Sequence, residues 1–441
     1  MRIKKLIILC SIFMFIFLSG CVATGSLAKM TLLRSPEGLS HKYDYKDIKE
    51  DSYIEFKEKM NHFASMLGSC ISYHEYKEGE NVACAPISIE MCLGLAVSAA
   101  NGKTRDEILS SIGIDYETFS KYYKLYFNEL CLEIINESKQ LEAKIELTNS
   151  IWIDNDVTLY EKGLDDLRDN YYCYAYEADF DGDNKASNQA MREFIREKTN
   201  KLLDPEMNID EATMFVLMNT LYLKDIWNDL GNDLNYADSK YKFTNIDGSV
   251  SSNKLLEGYY FNGRSMKNDD YSAFYTRTNH WLNLYFIKAN DAKAIKDVFS
   301  PETITYVTNT NNYVLKDDEL MEEYKTKCIF PEFKAGCDLD ISGMLQEYFW
   351  IKTMFINGEC DFTNLTDNKY GCSEVRHISK LEVNKKGIEG AAVTYIAKAG
   401  AAGPGPYKTV YEEYIVDKEF GFVLTYHDII LFSGIVTNID K

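Results

Sequence analysis

The chain contains few residue patterns that would support catalysis. His74-Glu75 begins an H-E-x-x-H pattern, but no second histidine follows at the spacing of a zinc site, and no G-x-S-x-G segment supplies a serine nucleophile. Gly102-Lys103-Thr104 resembles the end of a phosphate-binding loop, but Val97 stands where that loop needs its first glycine. The six histidines are scattered, with no carboxylate cluster beside them: His41, His62, His74, His280, His377 and His427. We therefore expect no metal, no cofactor and no enzyme, although a triad can be assembled from distant residues.

The N-terminus has the form of an export signal. A basic start is followed by an apolar run from Leu6 to Leu18, which is short for a membrane span and typical of a secretory signal. Its end, Leu18-Ser19-Gly20-Cys21, resembles the lipobox of bacterial lipoproteins, in which the cysteine is acylated and becomes the mature N-terminus. We therefore expect a signal peptide over 1–20, a lipid on Cys21 and a tether over 21–43. The protein would be exported and anchored by lipid on the outside of the cell membrane; the alternative is an ordinary signal peptide.

The cysteines show no redox or zinc pattern. If Cys10 leaves with the signal and Cys21 is lipidated, nine of the eleven remain, and no pair has C-x-x-C spacing. Several lie in apolar sequence, as in VACAPISIEMCLGLAV, so most are predicted to be small buried hydrophobic residues. An odd number in an exported protein also fits disulfides plus one free thiol, and the sequence leaves that alternative open.

Composition limits the possible partners. Lys plus Arg number 48 and Asp plus Glu 68, for a net charge of −20. Nucleic acids and anionic membrane surfaces are bound by basic patches, so neither is an expected partner of the protein surface. With 441 residues and 46% hydrophobic composition, the chain can form a sizeable core.

Hydrophobic periodicity predicts helices mainly early and strands mainly late, in one mixed α+β domain without a linker. Helices are predicted over Glu55–Ile71, over Ile87–Ala100 (apolar on nearly all sides and ended by Asn101-Gly102), over Asn188–Leu203 and from Leu339. Strands are predicted over Glu142–Asp154, Ala212–Lys224, Trp281–Lys288 and Thr326–Phe333, with a closing hairpin of Phe420–Leu424 and Ile430–Asn438. Ala212–Lys224 is apolar on both faces, so it should lie in the centre of a sheet.

The segment Asn384–Phe422 is unusual because it is half suited to a strand and half to a loop. Ile388–Ala397 contains no proline and can pair in a sheet. Beyond Gly400, Pro404 and Pro406 lack backbone donors, and glycine is frequent. Two interpretations fit: a flexible surface hairpin, or a mobile loop that can enter a sheet.

Several segments, in order along the chain, match the pattern of one family. NVACAPISIEMCLGLAVSAANGKT resembles the N-x-x-x-S-P-x-S-I start of helix B in the serpin family, with Ala85 where serine is usual. FVLMNTLYLKDIW resembles L-V-N-A-I-Y-F-K-G-x-W, and LFSGIVTN resembles L-F-M-G-R-V-x-N-P. VRHISKLEVNKKGIEGAA resembles V-x-H-K-A-x-I-E-V-x-E-E-G-T-E-A-A, which leads into the family's reactive loop. The resemblance runs from about Asp44 to Asn438 and assigns these residues to the region where the large sheet opens: Ser88, Asn219, Trp227 and His377.

The resemblance implies a fold and a mechanism. The fold would be an α+β serpin domain over 44–441, with three β-sheets, about nine helices and an exposed reactive loop at about 385–416. The protein would be a monomeric suicide inhibitor: a serine or cysteine protease cleaves the loop and is trapped as an acyl-enzyme when the loop inserts into the large sheet. The main alternative is a non-inhibitory serpin, a binding or structural protein that is simply cleaved as a substrate. An unrelated exported enzyme remains as a third possibility.

The resemblance also assigns a hinge, at Gly387, Ile388, Glu389, Gly390, Ala391 and Ala392. On insertion, alternate side chains face the core, and the family's pattern turns the set Ile388, Gly390, Ala392, Thr394 and Ile396 inward. These residues are small or apolar except Thr394, so their burial costs little. The hinge departs from the family at Lys385 (usually glutamate), Ile388 (threonine or serine) and Gly390 (alanine). Slow insertion at this hinge would turn an inhibitor into a substrate.

The scissile bond is predicted by counting from the hinge. The count places it between Ala401 and Ala402, which suits an elastase-like or subtilisin-like serine protease. Lys398 is the alternative and would suit a trypsin-like enzyme, as would Lys408.

Overall fold

The computed structural model describes residues 25–136, 139–227, 234–251, 254–313, 322–367, 369–388 and 408–441. These residues form nine α-helices: α1 (Asp51–Glu75), α2 (Pro86–Ala99), α3 (Gly102–Ile112), α4 (Tyr116–Leu130), α5 (Glu161–Tyr171), α6 (Asn184–Lys198), α7 (Ile295–Val298), α8 (Pro301–Thr308) and α9 (Ser342–Glu347).

The strands of the described residues are, in chain order, β1 (Thr31–Arg34), β2 (Val82–Cys84), β3 (Leu132–Ile135), β4 (Leu141–Asp154), β5 (Cys173–Ala178), β6 (Phe215–Ile226), β7 (Asn235–Tyr236), β8 (Phe243–Thr244), β9 (Val250–Ser251), β10 (Leu255–Asn262), β11 (Met266–Lys267), β12 (Tyr271–Arg277), β13 (Leu282–Ala289), β14 (Glu322–Pro331), β15 (Phe333–Asp340), β16 (Arg376–Asn384), β17 (Gly387–Ile388), β18 (Lys408–Ile415), β19 (Phe420–Tyr426) and β20 (Ile429–Val436).

Most strands belong to three sheets. The large sheet has eight strands in the order β1-β5-β4-β6-β17-β16-β15, with β3 added on β4. A six-stranded sheet has the order β11-β12-β13-β19-β20-β2, and a four-stranded sheet the order β18-β14-β10-β7. The short β8 and β9 form a separate ribbon. The expected α+β architecture, with three sheets and about nine helices, is confirmed.

Helix α2 is enclosed by other elements because its sequence is apolar on nearly all sides. Every residue from Pro86 to Ala99 is buried except Cys92, and α2 contacts β6, β20, α1 and α5. The predicted buried helix is confirmed, but its expected cap is not. The helix is followed by Ala100 in an extended conformation, and Asn101 is the N-cap of α3. Asn101-Gly102 therefore opens a helix instead of closing one.

Helix α6 lies earlier in the chain than its periodicity predicted. The predicted range was Asn188–Leu203, whereas the helix begins at Asn184 because the side chain of Asp183 accepts the Ala186 N–H at 3.2 Å. It ends before Asn200 and Lys201, which both have positive φ angles (49° and 66°). Apolar spacing alone marks neither boundary.

The closing hairpin is confirmed. Strands β19 and β20 pair from Phe420↔Val436 to Tyr426↔Ile429. The two turn residues, His427 and Asp428, have φ angles of 48° and 66°, as a tight hairpin turn requires.

The N-terminal residues 25–43, predicted as a tether, belong to the folded domain in the structure. Strand β1 pairs with β5 at the edge of the large sheet. The backbone N–H of Leu27 donates to Glu193 on α6 at 2.9 Å, and Arg34 forms ion pairs with Glu161 and Asp165 on α5. The predicted domain boundary at residue 44 therefore lies inside the folded part of the chain.

The nine described cysteines are all free thiols: Cys70, Cys84, Cys92, Cys131, Cys173, Cys328, Cys337, Cys360 and Cys372. Five of them are buried and the other four are partly buried. Within the described residues, no helix combines the length and the apolar character needed to cross a bilayer.

Candidate reactive loop and sheet-opening region

The segment predicted as a reactive loop leaves the large sheet through β17. Gly387 and Ile388 pair with Asn384 and Val383 of β16 on one side and with Ile226 and Asp225 of β6 on the other. A Cβ atom on Gly387 would lie 2.1 Å from the carbonyl oxygen of Asp225. Only glycine therefore allows the chain to approach β6 this closely.

Ile388 is fully buried in this position. The remaining hinge residues Glu389, Gly390, Ala391 and Ala392, the predicted bond at Ala401 and Ala402, the alternative Lys398, and Cys21 all lie outside the described residues.

The other end of the predicted loop is a strand of a different sheet. Strand β18, Lys408–Ile415, runs parallel to β14 with a register from Glu322↔Lys408 to Ile329↔Ile415. The predicted loop range 385–416 thus includes strand residues at both ends, and 389–407 connects the large sheet to the four-stranded sheet.

Strands β6 and β16 are not paired with each other anywhere in the described part of the chain; β17 alone joins them. A cavity of about 240 Å³ lies at their opposite ends, lined by β6 from Phe215 to Thr220 and by Arg376 and Ile378 of β16. Among the described residues, the two strands are therefore held together by one short contact at the hinge end.

Asn219 belongs to an amide network beneath this sheet, which is centred on the fully buried Asn149. The Nδ2 of Asn219 donates to Oδ1 of Asn149 on β4 at 2.8 Å. The Nδ2 of Asn149 donates to the Tyr123 hydroxyl at 3.1 Å and to the Tyr171 carbonyl at 2.7 Å. The network ties the paired half of the sheet, β4 and β6, to helices α4 and α5.

His377 fastens the other half of the sheet to the start of α2. Its Nε2 accepts the backbone N–H of Ala85 at 3.0 Å, and the side chain is buried. Burial lowers the pKa of His377 to about 4, although Asp338 acts in the opposite direction. Because the bond uses the backbone of residue 85, alanine serves there as well as the serine usual in the family. Ser88 is also buried, in the first turn of α2.

Trp227 closes the hinge end of β6. Its Nε1 donates to the carbonyl oxygen of Asn384 at 2.7 Å, and its ring packs edge-on against Phe330 at 5.3 Å between centroids. The structure therefore brings Trp227 next to β17. Ser88, Asn219 and His377 lie farther along the same sheet and the helix beneath it.

An ionisable pair beside the hinge was not predicted from the sequence. Asp225, which pairs with Ile388 through its backbone, has a fully buried carboxylate; His280 Nδ1 lies 2.7 Å from its Oδ1, and the Thr278 hydroxyl also donates to it. Glu142 lies 3.7 Å from the other ring nitrogen of His280. The available signal was that Asp225 stands where the matched family pattern has glycine.

Lys385, a departure from the family pattern, does not disturb the turn before β17. Its backbone N–H donates to Glu332 Oε1 at 2.8 Å, and its ammonium lies 5.6 Å from the centre of the Tyr236 ring. The lysine side chain is thereby directed onto the four-stranded sheet and away from β6.

Together these features define an α+β fold that displays a long segment between the centre of its large sheet and a second sheet. A family model described as "Serpin (serine protease inhibitor)" matches residues 58–439. The chain therefore belongs to the serpin family, whose members are generally protease inhibitors, although non-inhibitory serpins exist.

Relatives and solved structures agree with this assignment. The chain is 25% identical to human neuroserpin over 368 residues, which are 79% of this chain and 83% of that protein. The native structure of the thermophilic serpin tengpin matches with a TM-score of 0.70 at 18% identity, covering 93% of this chain and 99% of that one. Thyroxine-binding globulin in complex with thyroxine matches with a TM-score of 0.69 at 18% identity, covering 87% and 99%. At these identities the solved structures show a shared fold.

Proposed function

We propose that this serpin traps a serine protease by inserting its cleaved loop between β6 and β16. The observation that supports this proposal is that these two strands are joined only through Gly387 and Ile388 among the described residues. Insertion of residues 389–397 would extend β17 and pair with β6 on one side and β16 on the other. The added hydrogen bonds and buried side chains drive the change.

The chemistry belongs to the protease. Its serine attacks the scissile carbonyl, the peptide bond breaks, and the new amino terminus leaves with the segment that contains β18. The residue before the break remains bound to the serine as an ester. Insertion carries the ester and the attached protease away from the loop's original position. In the proposed mechanism this movement distorts the active site of the protease, so the ester is not hydrolysed.

Target and location form part of the proposal. Cleavage between Ala401 and Ala402 favours an elastase-like or subtilisin-like protease, and cleavage after Lys398 a trypsin-like one. A lipid on Cys21 would anchor the protein on the outer side of the cell membrane. Because residue 25 already belongs to the folded domain, such an anchor would hold the edge of the large sheet close to the lipid.

The direct test is a complex with a protease that survives SDS. The wild-type chain is incubated with elastase-like, subtilisin-like and trypsin-like enzymes, and mass spectrometry locates the cut. If every enzyme only cleaves the loop and no covalent complex forms, the inhibitory proposal fails.

A pair of loop variants tests the inserted face. Ala392→Arg places a charge on the set expected to face the core, so we expect complex formation to fall at least tenfold while cleavage continues. Ala391→Arg, on the opposite face, is the matched control and should retain complex formation. Equal effects of the two substitutions would contradict the assignment of faces.

A non-inhibitory role is the second candidate. It is favoured by Ile388, whose bulk at the hinge replaces the usual threonine or serine and which is already fully buried. In that case the cut loop stays outside the sheet, and the protein acts by binding. A cleaved protein without covalent complex and without gain in thermal stability would support this role.

A further inference from the structure

The cavity between β6 and β16 has the features of a small-molecule site. Its volume is about 240 Å³, whereas an apolar cavity of about 150 Å³ is large enough to bind benzene. Most of its lining is apolar and comes from α6, the segment after it and both strands: Ile195, Leu203, Met207, Ile209, Met218 and Ile378. An aromatic ring fits this lining, because methionine sulfur makes favourable contacts with ring edges.

A buried polar atom in the described cavity wall lacks a partner. The Thr220 hydroxyl is buried and has no hydrogen-bond partner in the described structure. The neighbouring Asn219 side chain points to the other face of the strand, where it is bonded to Asn149. Thr220 as a whole is only 4% exposed. An unsatisfied buried group is costly, so a ligand hydroxyl or amide that hydrogen-bonds the Thr220 hydroxyl would gain affinity.

The charged residues at the cavity disfavour an anionic ligand. The carboxylates of Asp210 and Glu374 line it, and the guanidinium of Arg376 is already engaged by Asp338 at 2.7 Å. A ligand carboxylate would meet these acidic groups with no unengaged cation in the described lining, and any charged group would lose its hydration on entering the apolar part. A neutral hydroxyl or amide avoids both costs.

We propose that this cavity binds a small neutral aromatic alcohol or amide, with its ring among the methionines and its polar group on Thr220. The cavity lies in the path between β6 and β16, so a bound molecule would hinder the inserting strand. This second consequence rests on the proposed inhibitory function; the binding itself does not.

Binding is tested with benzyl alcohol, with toluene as the matched ligand that lacks the hydroxyl and benzoate as the anionic control. Ligand-observed NMR titrations of the mature chain should show saturable binding of benzyl alcohol, weaker binding of toluene and none of benzoate. Absence of saturable benzyl alcohol binding would overturn the proposal.

Two variants locate the site. Thr220→Val should weaken benzyl alcohol binding about two- to twelve-fold, the range for one hydrogen bond, and leave toluene unchanged. Ile209→Trp should fill the cavity and abolish binding of both, with thermal unfolding used to confirm that each variant folds. An equal loss of both ligands in Thr220→Val would place the hydroxyl contact elsewhere and contradict the geometry.

The regulatory consequence has a separate readout. Saturating benzyl alcohol should slow formation of the SDS-stable protease complex in the wild type. In Ile209→Trp the rate with benzyl alcohol should equal the rate of the same variant without it. Binding without any slowing would reject the proposed effect on insertion. If no protease forms a complex, the proposed function fails, while the binding titrations still decide the site.

Discussion

At the scale of single residues, Gly387 determines how the loop begins. In Gly387→Ala the new methyl group would meet the Asp225 carbonyl at 2.1 Å, so β17 must separate from β6 or the strands must shift. We expect a loss of about 1–3 kcal/mol in the free energy of unfolding, as for other overpacked sites. Urea denaturation measures it. Gly343→Ala is the control, because nothing lies within 4 Å of the place its Cβ atom would occupy, and a comparable loss there would contradict the explanation.

His377 should make the stability of the sheet depend on pH. Its pKa is lowered from 6.5 to about 4 in the folded state, so between these values the unfolded chain binds the extra proton. The contribution is fully present above pH 6.5 and is lost as the pH falls towards 4, by roughly 3 kcal/mol in total. Urea denaturation from pH 7 to pH 4 measures this loss.

Other groups also titrate in that range, so the His377 contribution is read from a variant. In His377→Gln the amide oxygen can still accept the Ala85 N–H but takes up no proton. The difference in unfolding free energy between wild type and variant should shrink steadily from pH 7 to pH 4. A constant difference would show that His377 is not the titrating group.

At the scale of elements, local patterns predicted what depends on local contacts. The strand predicted over Ala212–Lys224 agrees with β6, because a run that is apolar on both faces has to lie between two layers. Buried α2 was predicted because its sequence is apolar on nearly all sides, and the closing hairpin from two strand segments around Tyr426-His427-Asp428. The pairing of β1 with β5 and the contact of Asp225 with His280 join residues far apart in the sequence, and neither has a local signature.

The N-terminal segment provides an element-scale prediction. Besides the β1–β5 pairing, Leu27 and Met30 pack on the cluster that contains Trp152, Tyr176 and Phe194. A chain that begins at Ser35 should therefore unfold at a lower temperature than one that begins at Gly25, and the exposed edge of β5 should promote association. Calorimetry and size-exclusion chromatography measure the two effects. Identical behaviour of both chains would mean that the segment adds no stability.

At the scale of the whole molecule, the two halves of the large sheet are each tied firmly to helices but only weakly to each other. Asn219 and His377 tie its two halves to different helices, whereas β6 and β16 share only β17 among the strands that the structure describes. Among the described residues, the two sides of the sheet centre are thus joined only at the hinge end. In the proposed mechanism, the uncut loop cannot insert fully because it is held at both ends, by β17 and by β18.

Cleavage of the loop removes that restraint, so the cut protein should be more stable than the intact one. About ten new backbone hydrogen bonds at roughly 1 kcal/mol each, with about 2 °C for each kcal/mol in a large domain, predict a rise of about 20 °C in Tm. Differential scanning calorimetry before and after limited cleavage by a subtilisin-like enzyme measures it. Ala392→Arg, cleaved in the same way, should show little or no rise because its arginine resists burial. If cleavage leaves the Tm of the wild-type protein unchanged, the loop has not inserted as a strand between β6 and β16, and the proposed mechanism is contradicted.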